Sequence, residues 1–134
     1  MHVPKSGWLY LGIYASTLVA ARATEVPTPP IKYETVAVAL DSLKNKAGVV
    51  EREQRGWTVL TEKEGEDVVI WTFSPPREAA YPAVVRRRIF KGESAVLTNL
   101  AFLCEAPKAA CDKLVADFQA LTAMFVKSMQ GKPE

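Results

Sequence analysis

Residues 68–73 read VVIWTF, and both alternating sets of side chains in this run are apolar. Trp71, with the residues two positions before and after it, faces one side of an extended chain, while Val68 and Ile70 face the other. A strand with one wet face would instead alternate apolar and polar residues. The run therefore predicts a central strand that other elements cover on both faces.

Four other segments with a two-residue period surround this run, and turn residues separate them. The segments are 49–54, 57–62, 83–91 and 94–104. The stretch SPPREAAYP, which contains three prolines, predicts a longer surface loop before residue 83. The pattern predicts an antiparallel meander of four or five strands, in which 49–54 is the weakest candidate.

A helical period precedes and follows the strands. Upstream, apolar residues recur at three- and four-residue steps, and Gly48 follows them as a C-cap. Downstream, Pro107 suits the first turn of a second helix, because a missing backbone N–H costs nothing there. The predicted apolar stripes are Tyr33, Val36, Ala37, Leu40, Leu43 and Ala47 in the first helix, and Cys111, Leu114, Phe118, Leu121 and Phe125 in the second.

This order of elements predicts an α+β fold. It consists of a four- or five-stranded antiparallel meander flanked by an N-terminal and a C-terminal helix, with one disulfide. In such domains the helices lie on one face of the sheet, because each element must bury its apolar side against another. That arrangement would leave Trp71 or the opposite set partly exposed. One helix on each face, the loop before residue 83, a second subunit, a partner protein or an apolar ligand would supply the missing cover.

The first 23 residues have the order of a secretory signal peptide. Lys5 and the terminal amine precede an apolar run over 8–19, and small residues end the segment at 21–23. The run is shorter than the roughly 20 residues that a membrane-spanning helix needs. We therefore expect cleavage after Ala23, a periplasmic or secreted protein, and no stable membrane anchor afterwards. An uncleaved amphipathic or core helix is the alternative.

Loss of this leader would change the charge of the chain. The full sequence has 17 Lys and Arg against 15 Asp and Glu, and removal of Lys5 and Arg22 leaves 15 of each sign. A neutral domain lacks the basic excess that attracts nucleic acid, so we expect no nucleic-acid partner. The single histidine, His2, would also leave, which removes Ser-His and Cys-His nucleophile pairs and histidine metal ligands.

The remaining length suits one domain. Residues 24–32 carry three prolines and predict an extended linker, 33–130 form the predicted domain, and 131–134 form a disordered tail. Cys104 and Cys111 are the only cysteines and would pair in an oxidising compartment. Their spacing differs from the C-x-x-C of catalytic dithiols, and two thiolates fall short of a four-ligand metal set. A structural disulfide is therefore favoured.

Motifs of known chemistry are missing from the sequence. It contains no G-x-S-x-G or S-x-x-K nucleophile motif and no glycine-rich phosphate loop. The acidic turn EKEGED at 62–67 does not match the spacing of an EF-hand calcium site. Glu51 and Glu53 share a strand face, but an acid–base pair also needs a pocket, and the sequence indicates none. We expect no enzyme activity, no cofactor and no metal. An enzyme without histidine that uses carboxylates, Lys, Arg or Tyr81 is the third hypothesis.

The run AVVRRRIF at 83–90 places three arginines in a predicted strand. Strand parity puts Arg86 and Arg88 on one face beside Phe90, and Arg87 on the other, so the three cannot form one basic patch. We expect Arg87 near an end or edge of the sheet, with its stem buried and its guanidinium in water.

Arg86 and Arg88 have two interpretations. They are spaced to clamp an anion such as a carboxylate or a phosphate. The favoured interpretation is instead that they form ion pairs across the strands with Glu51, Glu62 or Glu64 of the same chain.

The expected function is non-enzymatic binding. An exported accessory protein would meet an envelope or extracellular protein, or a second copy of itself, through an apolar sheet face or an exposed edge. It could serve as an inhibitor of an extracellular enzyme, a chaperone-like factor or a component of an envelope assembly. The alternative is a carrier of a small apolar or anionic ligand. Its apolar part would lie over a platform of Trp57, Trp71 and Phe73, and its acidic end would lie near Arg86 and Arg88.

The shape of the apolar surface would distinguish these functions. A closed apolar pocket with an arginine at its mouth would favour a carrier, a flat patch would favour a protein partner, and converging carboxylates would favour an enzyme. The candidate binding residues are Trp57, Trp71, Phe73, Arg86, Arg88 and Phe90.

Overall fold

The structure is a computed structural model that describes residues 28–130 of the 134-residue chain. The predicted signal peptide at 1–23 and the predicted tail at 131–134 lie outside the described residues. Residues 24–27 of the predicted linker lie outside them as well, whereas 28–32 are described.

Two helices flank five strands in the order of the sequence. The helices are α1 Val36–Lys44 and α2 Lys108–Gln130, and the strands are β1 Val50–Gln54, β2 Trp57–Glu64, β3 Asp67–Phe73, β4 Ala83–Lys91 and β5 Val96–Cys104. Each strand pairs antiparallel with the next, so the sheet order is β1-β2-β3-β4-β5. The predicted fold class is confirmed, and its weakest candidate strand is present as β1.

A tight turn between β1 and β2 starts the meander. Arg55 has a φ of 53° and Gly56 a φ of 87°, the positive values that a two-residue hairpin turn requires. In the following hairpin, Thr58 pairs with Phe73. Because neighbouring residues of a strand face opposite sides, Trp57 points away from the face that carries Phe73.

Helix α1 covers one face of the sheet, called the α1 face below. Val36, Ala39 and Leu43 are buried and pack in one cluster with side chains that include Leu60 and Trp71. This cluster contains the largest group of buried apolar side chains on the sheet, so it forms the main core of the domain.

The bounds of α1 differ from the predicted helix. The Thr35 hydroxyl accepts a hydrogen bond of 3.1 Å from the backbone N–H three residues later, and Asn45 is the C-cap. Gly48 therefore lies beyond the cap, contrary to the prediction. Ala37 and Ala47 are exposed, contrary to the predicted stripe. Ala47 follows the helix end, and Ala37 lies about 100° around the helix from the first buried residue.

Helix α2 covers part of the opposite face, called the α2 face. Leu114 is buried in a cluster with Val85, and Phe118 packs against that cluster. The first turns of α2 are also joined covalently to β5, because Cys104 and Cys111 form a disulfide with a Cα–Cα distance of 5.9 Å. The predicted disulfide is confirmed.

The placement of the helices corrects one expectation and confirms part of another. Cover of β3, predicted from VVIWTF for both faces, is confirmed for the α1 face, where Trp71 and Phe73 are buried, whereas Val68 and Ile70 on the α2 face are only partly buried and belong to neither cluster. The expectation that both helices lie on one face was wrong. Cys104 points to the α2 face with Phe102, and its disulfide holds α2 on that side.

The C-terminal half of α2 is less covered than its predicted apolar stripe implied. Four large apolar side chains there are exposed, and we call them the α2 row. They are Leu121 (54% exposed), Met124 (64%), Phe125 (39%) and Met129 (40%). Neither of the two described helices is long and apolar enough to cross a membrane.

Packing begins upstream of residue 33. Ile31 and Tyr33 pack against the cluster on the α1 face, and the Tyr33 ring lies 5.8 Å from the Trp71 ring in an edge-on arrangement. Arg86 donates a hydrogen bond of 2.6 Å to the carbonyl oxygen of Pro29. The last residues of the predicted linker are thus held against the sheet.

Candidate binding groove

A groove of about 510 Å³ lies on the α2 face between α2, the loop at 74–82 and the strands β1 to β3. We call it the α2 groove. Its apolar lining residues are Trp57, Val59, Ile70, Ala79, Ala80, Ala110, Leu114, Phe118 and Leu121. Its polar and charged lining residues are Arg52, Gln54, Arg55, Thr72, Glu78, Arg87, Lys113 and Asp117.

The groove exists because α2 packs on the β4–β5 half of the α2 face and leaves the β1–β3 half less covered. The disulfide ties the start of α2 to β5, which is one edge of the sheet, and the helix packs on side chains of β4 and β5 such as Val85, Leu100 and Phe102. The strands toward the other edge, β1 to β3, are not fully covered by the helix. Their α2-face side chains form the floor of the groove.

Two aromatic side chains bridge the floor and the wall. Trp57 at the start of β2 and Phe118 of α2 lie with ring centroids 5.8 Å apart and planes tilted by 51°. Both rings are only partly buried. Such rings present large, rigid apolar surfaces against which a ligand can pack.

The loop at 74–82 closes one end of the groove. Ser74 and Ala83 exchange hydrogen bonds at its base, including Ala83 N–H to Ser74 Oγ at 3.0 Å. Arg77 donates a hydrogen bond of 2.8 Å to the Arg55 carbonyl oxygen and lies over Gly56. A Cβ at Gly56 would come within 2.7 Å of the Arg77 guanidinium, so the glycine permits this contact between the loop and the β1–β2 turn.

Arg87 is the charged residue set deepest among the apolar side chains of the α2 face. It pairs across the sheet with Ile70 and Leu100. Its Nη2 donates a hydrogen bond of 3.0 Å to Thr122 Oγ1 of α2, and its Nε is buried with no partner among the described residues. Burial lowers the pKa of the guanidinium, although an arginine stays charged at neutral pH. Arg87 therefore lies in the middle of an inner strand under α2, and the expectation of a position near an end or edge of the sheet was wrong.

The structure divides the six predicted binding residues between the two faces. Of these six, Trp57 lines the α2 groove, while the others have the parity of the α1 face. Trp71 and Phe73 are buried there in the main core. Phe90 is partly buried near the far end of β4. The proposed ligand platform of Trp57, Trp71 and Phe73 is therefore not brought together.

Arg86 and Arg88 share the α1 face, as parity predicted, but differ in their partners. Arg88 forms ion pairs with Glu64 Oε1 at 2.6 Å and with Asp67 Oδ2 at 2.9 Å, so the favoured pairing with Glu64 is confirmed. The hydrogen bond from Arg88 lowers the pKa of the Glu64 carboxyl. Arg86 is buried and bonds the backbone of Pro29 instead. The two arginines thus have partners within the chain.

A buried carboxylate on the α1 face completes this polar layer. Glu62 is 5% exposed and accepts a hydrogen bond of 2.9 Å from the Trp71 indole N–H. It also forms an ion pair of 2.7 Å with Lys46. The hydrogen bond between Lys46 and Glu62 raises the pKa of Lys46, because the carboxylate favours the charged form of the lysine. Glu62 therefore belongs to the core of the domain and is not available to a ligand.

The charges of the α2 groove are not balanced within it. Lys113 forms an ion pair of 2.9 Å with Asp117, and both side chains are mostly exposed. Arg52 donates to Gln54 at 3.1 Å, and Arg87 donates to Thr122. Among residues 28–130, no carboxylate lies within ion-pair distance of either arginine. The groove thus combines an apolar floor with uncompensated positive charge.

Within the described part of the chain, no cluster of three or more Asp, Glu, His or Cys side chains is placed to hold a metal ion. In the acidic turn at 62–67, Glu64 and Asp67 form ion pairs with Arg88, and Glu62 is hydrogen-bonded within the core.

No protein-family model, no curated protein and no solved structure matches this chain. The groove is therefore interpreted from its own geometry.

Sequence reasoning missed Arg87 as a site residue, although a signal for it was present. On its face of β4, the residues two positions away are Val85 and Ile89. A charge in the middle of an apolar row on an inner strand must either pair with a buried acid or face a cavity. The sequence contains no acidic residue in the predicted stripe of α2 that could supply the pair.

Proposed function

We propose that this protein is an exported, non-enzymatic binding protein and that the α2 groove holds a small ligand with an apolar body. The observation that carries the proposal is the groove itself, which is an apolar recess of about 510 Å³ built from three separate elements of the fold. Small-molecule sites are mostly apolar clefts of roughly 300 to 1,000 Å³ with a few polar groups. The α2 groove has this size and this composition.

The polar groups of the groove support binding over catalysis. Asp117 is paired with Lys113, so Glu78 and Asp117 do not act as two free carboxylates facing a substrate. No histidine or cysteine lines the groove, and the two described cysteines are joined in the disulfide. Its groups can position and hold a molecule, which is the chemistry that a carrier needs.

A neutral apolar dye, N-phenyl-1-naphthylamine, tests the groove directly. We expect saturable binding at one site per chain, measured as an increase in dye fluorescence. Replacing exposed Ala79 at the groove wall by tryptophan should fill the recess and weaken binding about tenfold or more. The matched control is Ala116→Trp, at an exposed position of α2 that does not line the groove, and it should bind like the wild type.

Two results of this titration would contradict the proposed function. The first is the absence of saturable binding by the wild-type protein. The second is equal affinity of the Ala79→Trp and Ala116→Trp variants, which would place the dye outside the groove. Far-UV circular dichroism of both variants confirms that they are folded before their affinities are compared.

Export is the second part of the proposal. It is supported by the leader-like order of the first 23 residues, and the disulfide is compatible with an oxidising compartment. N-terminal sequencing of the protein from its native source should begin at Thr24 or within two residues of it. A mature fraction that starts at Met1 would contradict export by this route.

A second candidate function is contact with another protein or with a second copy of the chain. The α2 row favours it, because Leu121, Met124, Phe125 and Met129 are exposed together on one helix. Sedimentation and a pull-down from an envelope extract, each with the Met124→Lys/Met129→Lys variant as control, measure this association. If the contact is made through the α2 row, the double variant should no longer associate.

A further inference from the structure

Arg87 and Arg88 are neighbours in one strand but differ in how their charges are balanced. Arg88 on the α1 face has two carboxylates within 2.9 Å. Arg87 on the α2 face has the Thr122 hydroxyl and no acid among the described residues. The sheet therefore provides an internal comparison between a guanidinium with its counterions and one without them.

The surroundings of Arg87 make the missing counterion costly. Its neighbours on the same face of β4, Val85 and Ile89, and its cross-strand partners are apolar, and its Nε–H is buried without an acceptor among the described residues. A partly buried charge is disfavoured unless an opposite charge or hydrogen bonds compensate for the lost water. Burial is the cause that shifts the pKa of Arg87 downward, with no carboxylate acting in the opposite direction. An anion from outside the chain would supply the compensation.

The other charges of the groove favour the same sign of ligand. Arg52 and Arg55 also line the groove, and neither is paired with a described carboxylate. Of the two acids in the lining, Asp117 is already paired with Lys113, which leaves Glu78 as a single acid against three unpaired arginines. Three unpaired arginines would repel a cationic ligand, whereas their positive electrostatic potential would attract an anionic one.

We propose that the ligand of the α2 groove is a small amphipathic carboxylate, whose carboxylate group pairs with Arg87 and whose apolar body lies against Trp57, Ile70 and Phe118. This inference rests on the proposed function of the groove. Arg52 and Arg55 are exposed to solvent, so Arg87 is the one arginine of the groove set among apolar side chains. A carboxylate is favoured over a phosphate monoester because this single guanidinium matches one planar carboxylate, while the second charge of a phosphate calls for further cations at the same depth. The volume of about 510 Å³ accommodates a chain of medium length.

The test compares three probes with the same ten-carbon chain and different head groups: decanoate, decanol and decyltrimethylammonium. Decanoate and decyltrimethylammonium are titrated below their critical micelle concentrations, and decanol below its solubility limit, against the whole mature protein, using calorimetry and displacement of the neutral dye. Decanoate should bind about tenfold to a hundredfold more tightly than decanol, because hydrogen bonds to a partly buried charge favour the anion. Decyltrimethylammonium should bind more weakly than decanol.

The variant Arg87→Met keeps an unbranched apolar stem and removes the charged guanidinium. It should abolish the preference for decanoate over decanol, measured as the ratio of their two dissociation constants in the same variant. The matched control is Arg88→Met, one residue along and on the opposite face, which should retain the preference. If Arg87→Met does not fold, Arg87→Lys replaces it and should reduce the preference several-fold.

The outcomes separate this inference from the function on which it rests. Equal binding of decanoate and decanol by the wild type overturns the carboxylate assignment and leaves the apolar groove standing. A decanoate preference that survives in Arg87→Met also overturns it, as does tighter binding of decyl phosphate, titrated in the same way as a fourth probe, than of decanoate. If the neutral dye and all three probes fail to bind, both the inference and the proposed function are overturned.

Discussion

Replacing Trp71 with alanine is expected to lower the free energy of unfolding by about 3 to 5 kcal/mol, the range for large aromatic-to-alanine changes in a core. Trp71 is 6% exposed at the centre of β3, and it packs in the cluster of the α1 face. Its ring meets Tyr33, and its indole N–H is bonded to buried Glu62. The alanine would leave a cavity and an acceptor without its donor. Urea unfolding followed by circular dichroism measures the loss.

Two variants show whether the loss has this origin. Trp71→Phe keeps an aromatic ring and removes the bond to Glu62, so we expect a loss of about 1 to 3 kcal/mol. Trp57→Ala is the matched control on the α2 face, where the ring is only partly buried. Its expected loss is about 1 to 2 kcal/mol. A Trp57→Ala variant as unstable as Trp71→Ala would contradict the assignment of the main core to the α1 face.

The strands were predictable because their sequence pattern is local. Alternation and turn residues located all five strands to within two residues, and Arg55-Gly56 marked the first turn. The faces of the helices were harder to predict, since a connection of three residues between β5 and α2 permits either side. One clue was available. Cys104 has the parity of Leu100 and Phe102, and a disulfide to Cys111 requires α2 on that face.

The binding residues could be predicted only in part because they depend on register between strands. Parity within β4 correctly separated Arg87 from Arg86 and Arg88. Whether Trp57 shares a face with Trp71 depends instead on how β2 aligns with β3, which the turn between them decides. The sequence left that alignment open, so a platform combining the two tryptophans was a reasonable but incorrect arrangement.

The partners of the arginines depend on still longer distances in the chain. Arg88 meets Glu64 from the neighbouring hairpin, which lies close enough in sequence for a cross-strand prediction. Arg87 meets Thr122, which is 35 residues away on α2, and Arg86 meets Pro29, which is 57 residues away. Such contacts follow from the path of α2 and of the upstream segment across the sheet, and a pattern within β4 does not encode them.

Removing the disulfide is expected to lower the free energy of unfolding by about 2 to 3 kcal/mol. Cys104 and Cys111 are seven residues apart, and closing so short a loop removes a modest amount of conformational freedom from the unfolded chain. The variant is Cys104→Ala/Cys111→Ala, and urea unfolding measures the change. Adding a reductant to the wild type should reproduce the loss, while the same reductant should leave the variant unchanged.

The disulfide should also matter for the groove, because it fixes the start of the helix that forms one wall. Without it, the first turns of α2 are held on the sheet mainly by Leu114 and Phe118. We therefore expect faster amide hydrogen exchange over 108–114 in the double variant, together with weaker binding of the neutral dye. Unchanged exchange in α2 and unchanged dye affinity, despite the loss of stability, would show that packing alone positions the wall. The disulfide would then act on the unfolded chain and not on the site.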